Sequence, residues 1–209
     1  MSNQQNIIKV FPKAFPTDLC NKLIKLFDNN KTRTFDSGMA KIAHDPDHLQ
    51  HNPTFTNDLH YNKKIRNSKE LILGWDDPHT NLLMEEITKN LDPLIVKYMK
   101  SHPQIVKELT NSYWEVGHIL KYNPKEGLYD FHEDNDGEAI SERVISIIVY
   151  LNDVEEGGET EFWYMNTPPV KPKKGNVLLF PSGWMHRHKG NIPISNSKYI
   201  LVIWFRDKK

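Results

Sequence analysis

The sequence predicts a mainly β protein with flanking helices (α+β), built as a sandwich or jelly roll, and three observations carry that expectation. The second half, from "SYWEVGHILKYN" onward, is a series of β-branched and aromatic runs broken by turn residues. Helical periodicity is confined to the first half. No helical pattern lies between the late strands, which favours antiparallel pairing over βαβ units.

Taken in order, "IIKVF" is a short strand. "PTDLCNKLIKLFDNN" is a helix with Thr17 as N-cap and Leu19, Leu23, Ile24 and Phe27 at helical spacing. Cys20 falls on its apolar side and reads as core. A second helix runs through "TNLLMEEITKNLDPLIVKYMK", with Leu82, Leu83, Ile87, Leu91, Leu94, Ile95 and Tyr98 on one broad face. Pro93 should kink it or split it. Between the helices, residues 31–70 are polar and weakly periodic; they read as a long loop with short strands and as a candidate lid. Strands are expected at 112–122, 128–133, 143–151, 159–165, 176–180, 185–190 and 198–206, most of them separated by "NPKEG", "EEGG", "PPVKPKKG" and "PSG". One domain spans 1–209 on this reading, with 1–110 as helical support and lid and 111–209 as the jelly-roll core.

Composition removes several function classes. Lys+Arg and Asp+Glu both number 27, so the formal charge is zero, which argues against nucleic acid or an anionic membrane as partner. "KPKK" (171–174) reads as a solvated turn. The longest apolar runs, "VISIIVYL" and "YILVIWF", are strand-length and too short to span a membrane. A single cysteine excludes an intrachain disulfide, and the start "MSNQQNIIKV" lacks the regions of a signal peptide, so a cytoplasmic setting is expected.

Chemistry concentrates in "YDFHEDND" (129–136). His132 and Asp134 lie two apart at a strand end, so their side chains share a face. An imidazole and a carboxylate so placed are two members of a 2-His-1-carboxylate set, which leaves iron with open positions. The third ligand must come from another strand. "PSGWMHRHKGN" offers His186 or His188, again two apart and expected on one face. Asp130 and Asp136 read as solvated loop and Glu133 as outward-facing. A separate cluster, His44, His48 and His51, would suit zinc only if helical; Pro46 and the missing Cys partners argue against it.

Further segments accompany that pair in a fixed order. "LKYNPKEGLYDFHED", "RVISIIVYLNDVEEGGETEF", "VKPKKGNVLLFPS" and "HKGNIPISNSKYILVIWF" follow one another over about 113–206, and "VFPKAFPTDLCNKLI" stands near the start. In these residues the chain resembles the Fe(II)/2-oxoglutarate-dependent dioxygenases, in particular the prolyl 4-hydroxylase-like group. The resemblance implies a double-stranded β-helix fold. It implies that His188 completes the metal set with His132 and Asp134, because the family's ligand His is followed by x-Gly and, ten positions on, by Lys, as Gly190 and Lys198 stand here. His186 has neither and becomes a pocket or packing residue.

The same resemblance implies that Lys198 pairs with the far carboxylate of 2-oxoglutarate, with Tyr122 and Thr160 also reaching the cosubstrate. Arg143 and Trp204 fall to the substrate side, and Tyr129 is a pocket wall. One departure bears on the substrate: some members carry His two positions after that Trp, where this chain has Arg206. The activity implied is hydroxylation of a C–H bond by an iron-dependent dioxygenase. It consumes O2 and 2-oxoglutarate, releases succinate and CO2, and admits ascorbate as an auxiliary reductant. A peptidyl proline in a peptide or protein is the first substrate expected; a nucleobase, lipid or small metabolite is the alternative. A non-catalytic jelly-roll binding module would be a third reading, but it predicts a broken ligand set or a missing Lys198.

Overall fold

In this computed structural model the residues described are 7–36, 63–104, 109, 111–135, 140, 142–164 and 166–208. The larger of two sheets centres on β12 (Lys198–Asp207), which pairs antiparallel with β8 (Arg143–Tyr150) on one side and β6 (Gly117–Tyr122) on the other. Its order is β1 (Lys9–Phe11), β10 (Val177–Pro181), β8, β12, β6, β4 (Lys69–Leu73), β2 (Phe35–Asp36), and β5 (Ser112–Trp114) pairs with the end of β12. The smaller sheet runs β3 (Arg66–Asn67), β7 (Leu128–His132), β11 (His188–Gly190), β9 (Thr160–Phe162).

The period-2 pattern of the central strands explains the layers. Ile145, Ile147 and Val149 of β8 and Tyr199, Leu201 and Ile203 of β12 share one face. Against that face pack Leu19, Cys20, Leu23 and Phe27 of α1 (Thr17–Asn29) and Met84, Ile87, Leu91, Ile95 and Tyr98 of α2 (Asn81–Ser101). The alternate residues, Ile148, Tyr150, Ile200, Val202 and Trp204, face the smaller sheet and meet Phe162. Both faces of these strands are covered, which is why "VISIIVYL" and "YILVIWF" are nearly continuous apolar runs. Two facing antiparallel sheets with helices on one outer side make the expected double-stranded β-helix.

Several local expectations change. Pro16, in extended backbone, occupies the N-cap of α1 and no side chain caps it; Thr17 is already helical. Asp18 in the first turn complements the helix dipole instead. Pro93 does not split α2: the proline is exposed, and buried Leu91 and Ile95 hold the helix on either side of it. Leu82 is 72% exposed, because the buried stripe starts one residue later at Leu83. The strand expected over 112–122 breaks at Glu115 and Val116 into β5 and β6, which pair with different parts of β12.

The strand expected over 185–190 is also divided. Trp184–His186 form a 3-10 turn and only His188–Gly190 are extended, so His186 and His188 do not share a strand face. Residues 37–62, most of the candidate lid and all of His44, His48 and His51, lie outside the described residues, as does Asp136. Among the described residues, no helix is long and apolar enough to cross a membrane.

Candidate metal and cosubstrate site

One register brings the metal-ligand candidates together. β7 and β11 run antiparallel with His132 directly opposite His188, and Asp134 follows in the turn after β7. One donor atom from each of the three lies within 4.8 Å of the others. His132 Nε2 is 3.7 Å from Asp134 Oδ1, and His188 Nε2 is 3.9 Å from Asp134 Oδ2.

Each ring is oriented by its other nitrogen. His132 Nδ1 donates to the Asp130 carbonyl at 2.8 Å and His188 Nδ1 to the His186 carbonyl at 3.1 Å. A carbonyl only accepts, so the proton sits on Nδ1 and the Nε2 lone pair is left for a cation. The Ser146 hydroxyl donates to Asp134 Oδ2 at 2.6 Å and is itself 2.9 Å from Ser182 Oγ. The Tyr129 ring stacks on His132 at 3.5 Å, with the Arg66 guanidinium 4.5 Å from the Tyr129 ring centre.

The electrostatics suit a cation. Burial, then the neighbouring His188, hold His132 well below the ordinary histidine range. Burial alone would raise the Asp134 carboxyl, but His188, His132, the Ser146 hydroxyl and Arg143 outweigh it and hold it below the usual carboxylate range. Two imidazoles, each with its Nδ1 held by a backbone carbonyl, and one buried carboxylate converge in a set that fits Fe(II) in the facial arrangement that leaves three positions open.

Beside this cluster lies a cationic cradle. Lys198 opens β12 opposite Tyr122 on β6, and its parity with Ile200 and Val202 turns it into the space between the sheets. It is buried, its Nζ donates to the Gly158 carbonyl at 2.9 Å, and it lies 4.8 Å from the Tyr122 ring centre. Burial lowers its amine to a pKa of about 8. Gly190 crosses directly above: a Cβ there would stand 3.4 Å from Lys198 Nζ. Gly190 pairs with Thr160 on β9, and Thr160 Oγ1 accepts the Tyr150 hydroxyl at 2.8 Å, which leaves its own hydrogen to donate. An ammonium and hydroxyl groups around a gap that a side chain would fill are suited to a carboxylate, so 2-oxoglutarate fits here as well.

Arg143, Trp204 and Arg206 stand on the other side of Asp134. The Arg143 guanidinium lies 3.5 Å from the Trp204 ring centre and donates through Nη1 to the Asp134 carbonyl at 3.1 Å. Its Nε donates to Glu115 Oε2 at 2.8 Å, and its Nη2 to Glu115 Oε1. Arg206 Nη2 meets Glu142 Oε2 at 3.1 Å and Nη1 approaches Glu115 at 3.7 Å. Trp204 Nε1 is buried without a hydrogen-bond partner.

His186 stays outside the cluster. Burial, then His188, push its pKa down to about 4, and its contribution to the cluster is its backbone carbonyl. Glu133, between the ligands, is half-buried, and Asp130 is exposed.

Three contributors escape the sequence reading. Ser146 was visible in principle, as the lone polar residue in "VISIIVYL" with inward parity. Glu115 carries no such mark, because its partner is 28 residues away. Nor does Arg66, which sits in a polar segment without periodicity.

Residues 117–206 match the model of the 2OG-Fe(II) oxygenase superfamily. "Prolyl 4-hydroxylase 13" of Arabidopsis thaliana is 32% identical over 121 residues, 46% of this chain and 44% of that protein. A "Putative prolyl 4-hydroxylase" of Acanthamoeba polyphaga mimivirus is 27% identical over 156 residues, 70% of this chain and 61% of that protein. The chain thus spans about half the length of the curated relatives it matches. A solved Trichoplax adhaerens prolyl hydroxylase, in complex with a hypoxia inducible factor oxygen degradation domain peptide fragment, superposes with a TM-score of 0.71. It covers 97% of this chain and 84% of its own at 15% identity, a likeness of fold. The family match runs through the strands that carry the ligand set and the cradle, and in these residues the chain is similar to the 2OG-Fe(II) oxygenase superfamily and to prolyl 4-hydroxylases.

Proposed function

We propose that this protein is an Fe(II)- and 2-oxoglutarate-dependent dioxygenase that hydroxylates a proline in a peptide or protein. The observation that carries the reading is that β11 joins the two parts of the site, with His188 in the His132–Asp134–His188 set at one end and Gly190 against the Lys198 ammonium at the other. Gly190, over the Lys198 ammonium, is two residues from His188, roughly 7 Å along β11. A five-carbon diacid held at the metal set would have its far carboxylate within reach of this cation.

His132, Asp134 and His188 would hold the iron, and Ser146 and the two backbone carbonyls keep the three donors aimed. When bound, iron supplies the activation of O2 that couples decarboxylation of 2-oxoglutarate to oxidation of a C–H bond. Lys198 orients the cosubstrate by a charge-assisted hydrogen bond, with Tyr122 and Thr160 beside it. Tyr129 walls the metal, and its stacking fixes the plane of the His132 ring. Arg143 and Trp204 are the substrate-side residues. Three nitrogens of Arg143 are committed to Glu115 and Asp134, so the carbonyl of a bound chain is met by its remaining N–H groups.

A peptide is favoured over a nucleobase or lipid by the named relatives, two prolyl 4-hydroxylases in sequence and one peptide-bound prolyl hydroxylase in fold. The lone buried Cys20 accords with a reducing, cytoplasmic setting. Incubation with Fe(II), 2-oxoglutarate and proline-containing peptides tests the reading: peptide-stimulated succinate release and one added oxygen on a proline are expected. Succinate release stimulated only by a nucleobase, lipid or metabolite replaces the substrate. Failure to bind Fe(II) and 2-oxoglutarate removes the enzyme.

A further inference from the structure

Three of the largest exposed apolar side chains form one row beside the candidate metal centre. Trp163 is 57% exposed, Tyr164 55% and Trp184 62%, and Met185 beside them is 47% exposed. The rings are linked: Phe131 to Trp163 at 4.5 Å, Trp163 to Tyr164 at 6.3 Å, and Tyr164 to Trp184 at 6.1 Å. The row begins one residue before His132. It ends beside Gly183, whose Cβ position lies 3.7 Å from the Asn135 side chain, the residue after Asp134. The aromatics thus border the metal-ligand segment from end to end.

The row is built on rigid backbone. The Trp163 amide donates to the Arg187 carbonyl at 2.9 Å, tying β9 to the turn that carries Trp184. The adjacent cations serve the rings. Arg187 donates to the Phe131 carbonyl at 3.2 Å with its guanidinium 5.7 Å from the Trp163 ring centre. Lys189 pairs with Glu161 at 3.2 Å while lying 4.7 Å from the Phe131 ring centre. Apolar area of this kind in water is costly unless something covers it. A polyanion would have to displace Glu161 from Lys189 and draw Arg187 from the Phe131 carbonyl. What the row offers is flat apolar faces, indole N–H and phenol O–H.

From this we infer that the Phe131–Trp163–Tyr164–Trp184 row is a docking ledge for a proline-rich segment in polyproline II conformation, holding the chain that flanks the reacting residue. The inference rests on the peptide reading above. Proline rings pack on aromatic faces, and the unpaired carbonyls of a polyproline II strand accept from Trp and Tyr donors. The segment is already extended, so little ordering entropy opposes its binding.

The test uses the full chain with Fe(II), 2-oxoglutarate under argon, and a blocked oligoproline peptide, with binding read by calorimetry and tryptophan fluorescence. Trp163→Ala and Trp184→Ala should each raise the peptide Kd roughly tenfold or more, and Trp184→Phe should recover most of the loss. Variants that bind the peptide as the unaltered chain does overturn the ledge. So does an unaltered chain that binds no oligoproline, or one that binds phosphatidylcholine vesicles through the same residues instead. Mass spectrometry after admission of air separates the two ideas. An oxygen added to the peptide, with affinity indifferent to the row, keeps the catalytic reading and removes the ledge. Binding that depends on the row, without added oxygen, keeps the ledge and removes the catalytic reading.

Discussion

At the scale of single residues, the ligand candidates are held by named partners: Ser146 and Arg143 on Asp134, and one backbone carbonyl on each histidine. His132→Ala and Asp134→Ala should each abolish turnover together with metal binding, which calorimetry with Mn(II) in place of iron measures directly. His186→Ala should retain metal binding and part of the turnover, since His186 orients His188 through its carbonyl, which alanine keeps. Loss of metal binding on His186→Ala with His188→Ala tolerated would reverse the assignment.

Lys198 is the residue most exposed to pH. Its folded-state pKa, about 8, lies below that of a lysine in water. Below pH 8 both folded and unfolded chains hold the proton, and the cost of burying the charge is felt in full. Above it the unfolded chain binds more protons than the folded one, so stability contributed by this group rises with pH up to the ordinary lysine range. In the same window the cradle loses its charge, so the 2-oxoglutarate requirement should climb above about pH 8. Lys198→Met should flatten that climb, raise the requirement at pH 7 and raise the melting temperature of the cosubstrate-free chain. An unchanged requirement would remove Lys198 from the cradle.

At the scale of elements, the turns and short strands set the cradle. Gly157 and Gly158 both have φ in the left-handed region, at 74° and 76°. A Cβ on Gly157 would run into the Ile192 carbonyl, which accepts the Gly158 amide at 3.0 Å. This turn places the Gly158 carbonyl that holds Lys198. Gly157→Ala should therefore destabilise the chain by about 1–3 kcal/mol in chemical denaturation and raise the 2-oxoglutarate requirement. Gly190→Val acts without strain, by filling the gap above Lys198 Nζ. It should weaken 2-oxoglutarate binding about tenfold or more with metal affinity unchanged, both by calorimetry. An unaltered cosubstrate affinity would show that the gap is not where the carboxylate sits.

At the scale of the whole molecule, two apolar layers share one central sheet, and the site occupies the inner layer beneath the smaller sheet. Among the described residues the smaller sheet has four short strands, and the candidate ligands come from two of them and the turn that follows one. Metal and cosubstrate should thus tie the two sheets together. Mn(II) at a hundredfold excess over its Kd should stabilise the fold by about 2.7 kcal/mol. For a chain of this length that is a rise of about 5–10 °C in melting temperature. Asp134→Ala should show no such rise.

What the amino-acid order settled by itself was what depends on local periodicity and spacing. The nearly continuous apolar runs "VISIIVYL" and "YILVIWF" mark strands covered on both faces, and the helical spacing of Leu19, Leu23 and Phe27 marks the face of α1. His132 and Asp134 were legible as a pair because two residues is within the reach of one strand end. Spacing alone leaves His186 and His188 equal, and it was the resemblance, through Gly190 and Lys198, that pointed to His188 as their partner. Only the antiparallel register of β7 and β11 sets His188 opposite His132, while the turn at Trp184–His186 carries the other histidine out of line. The clamp of Glu115 on Arg143 and the stacking of Arg66 on Tyr129 are likewise products of strand pairing across long sequence separations, and no local pattern encodes such pairing.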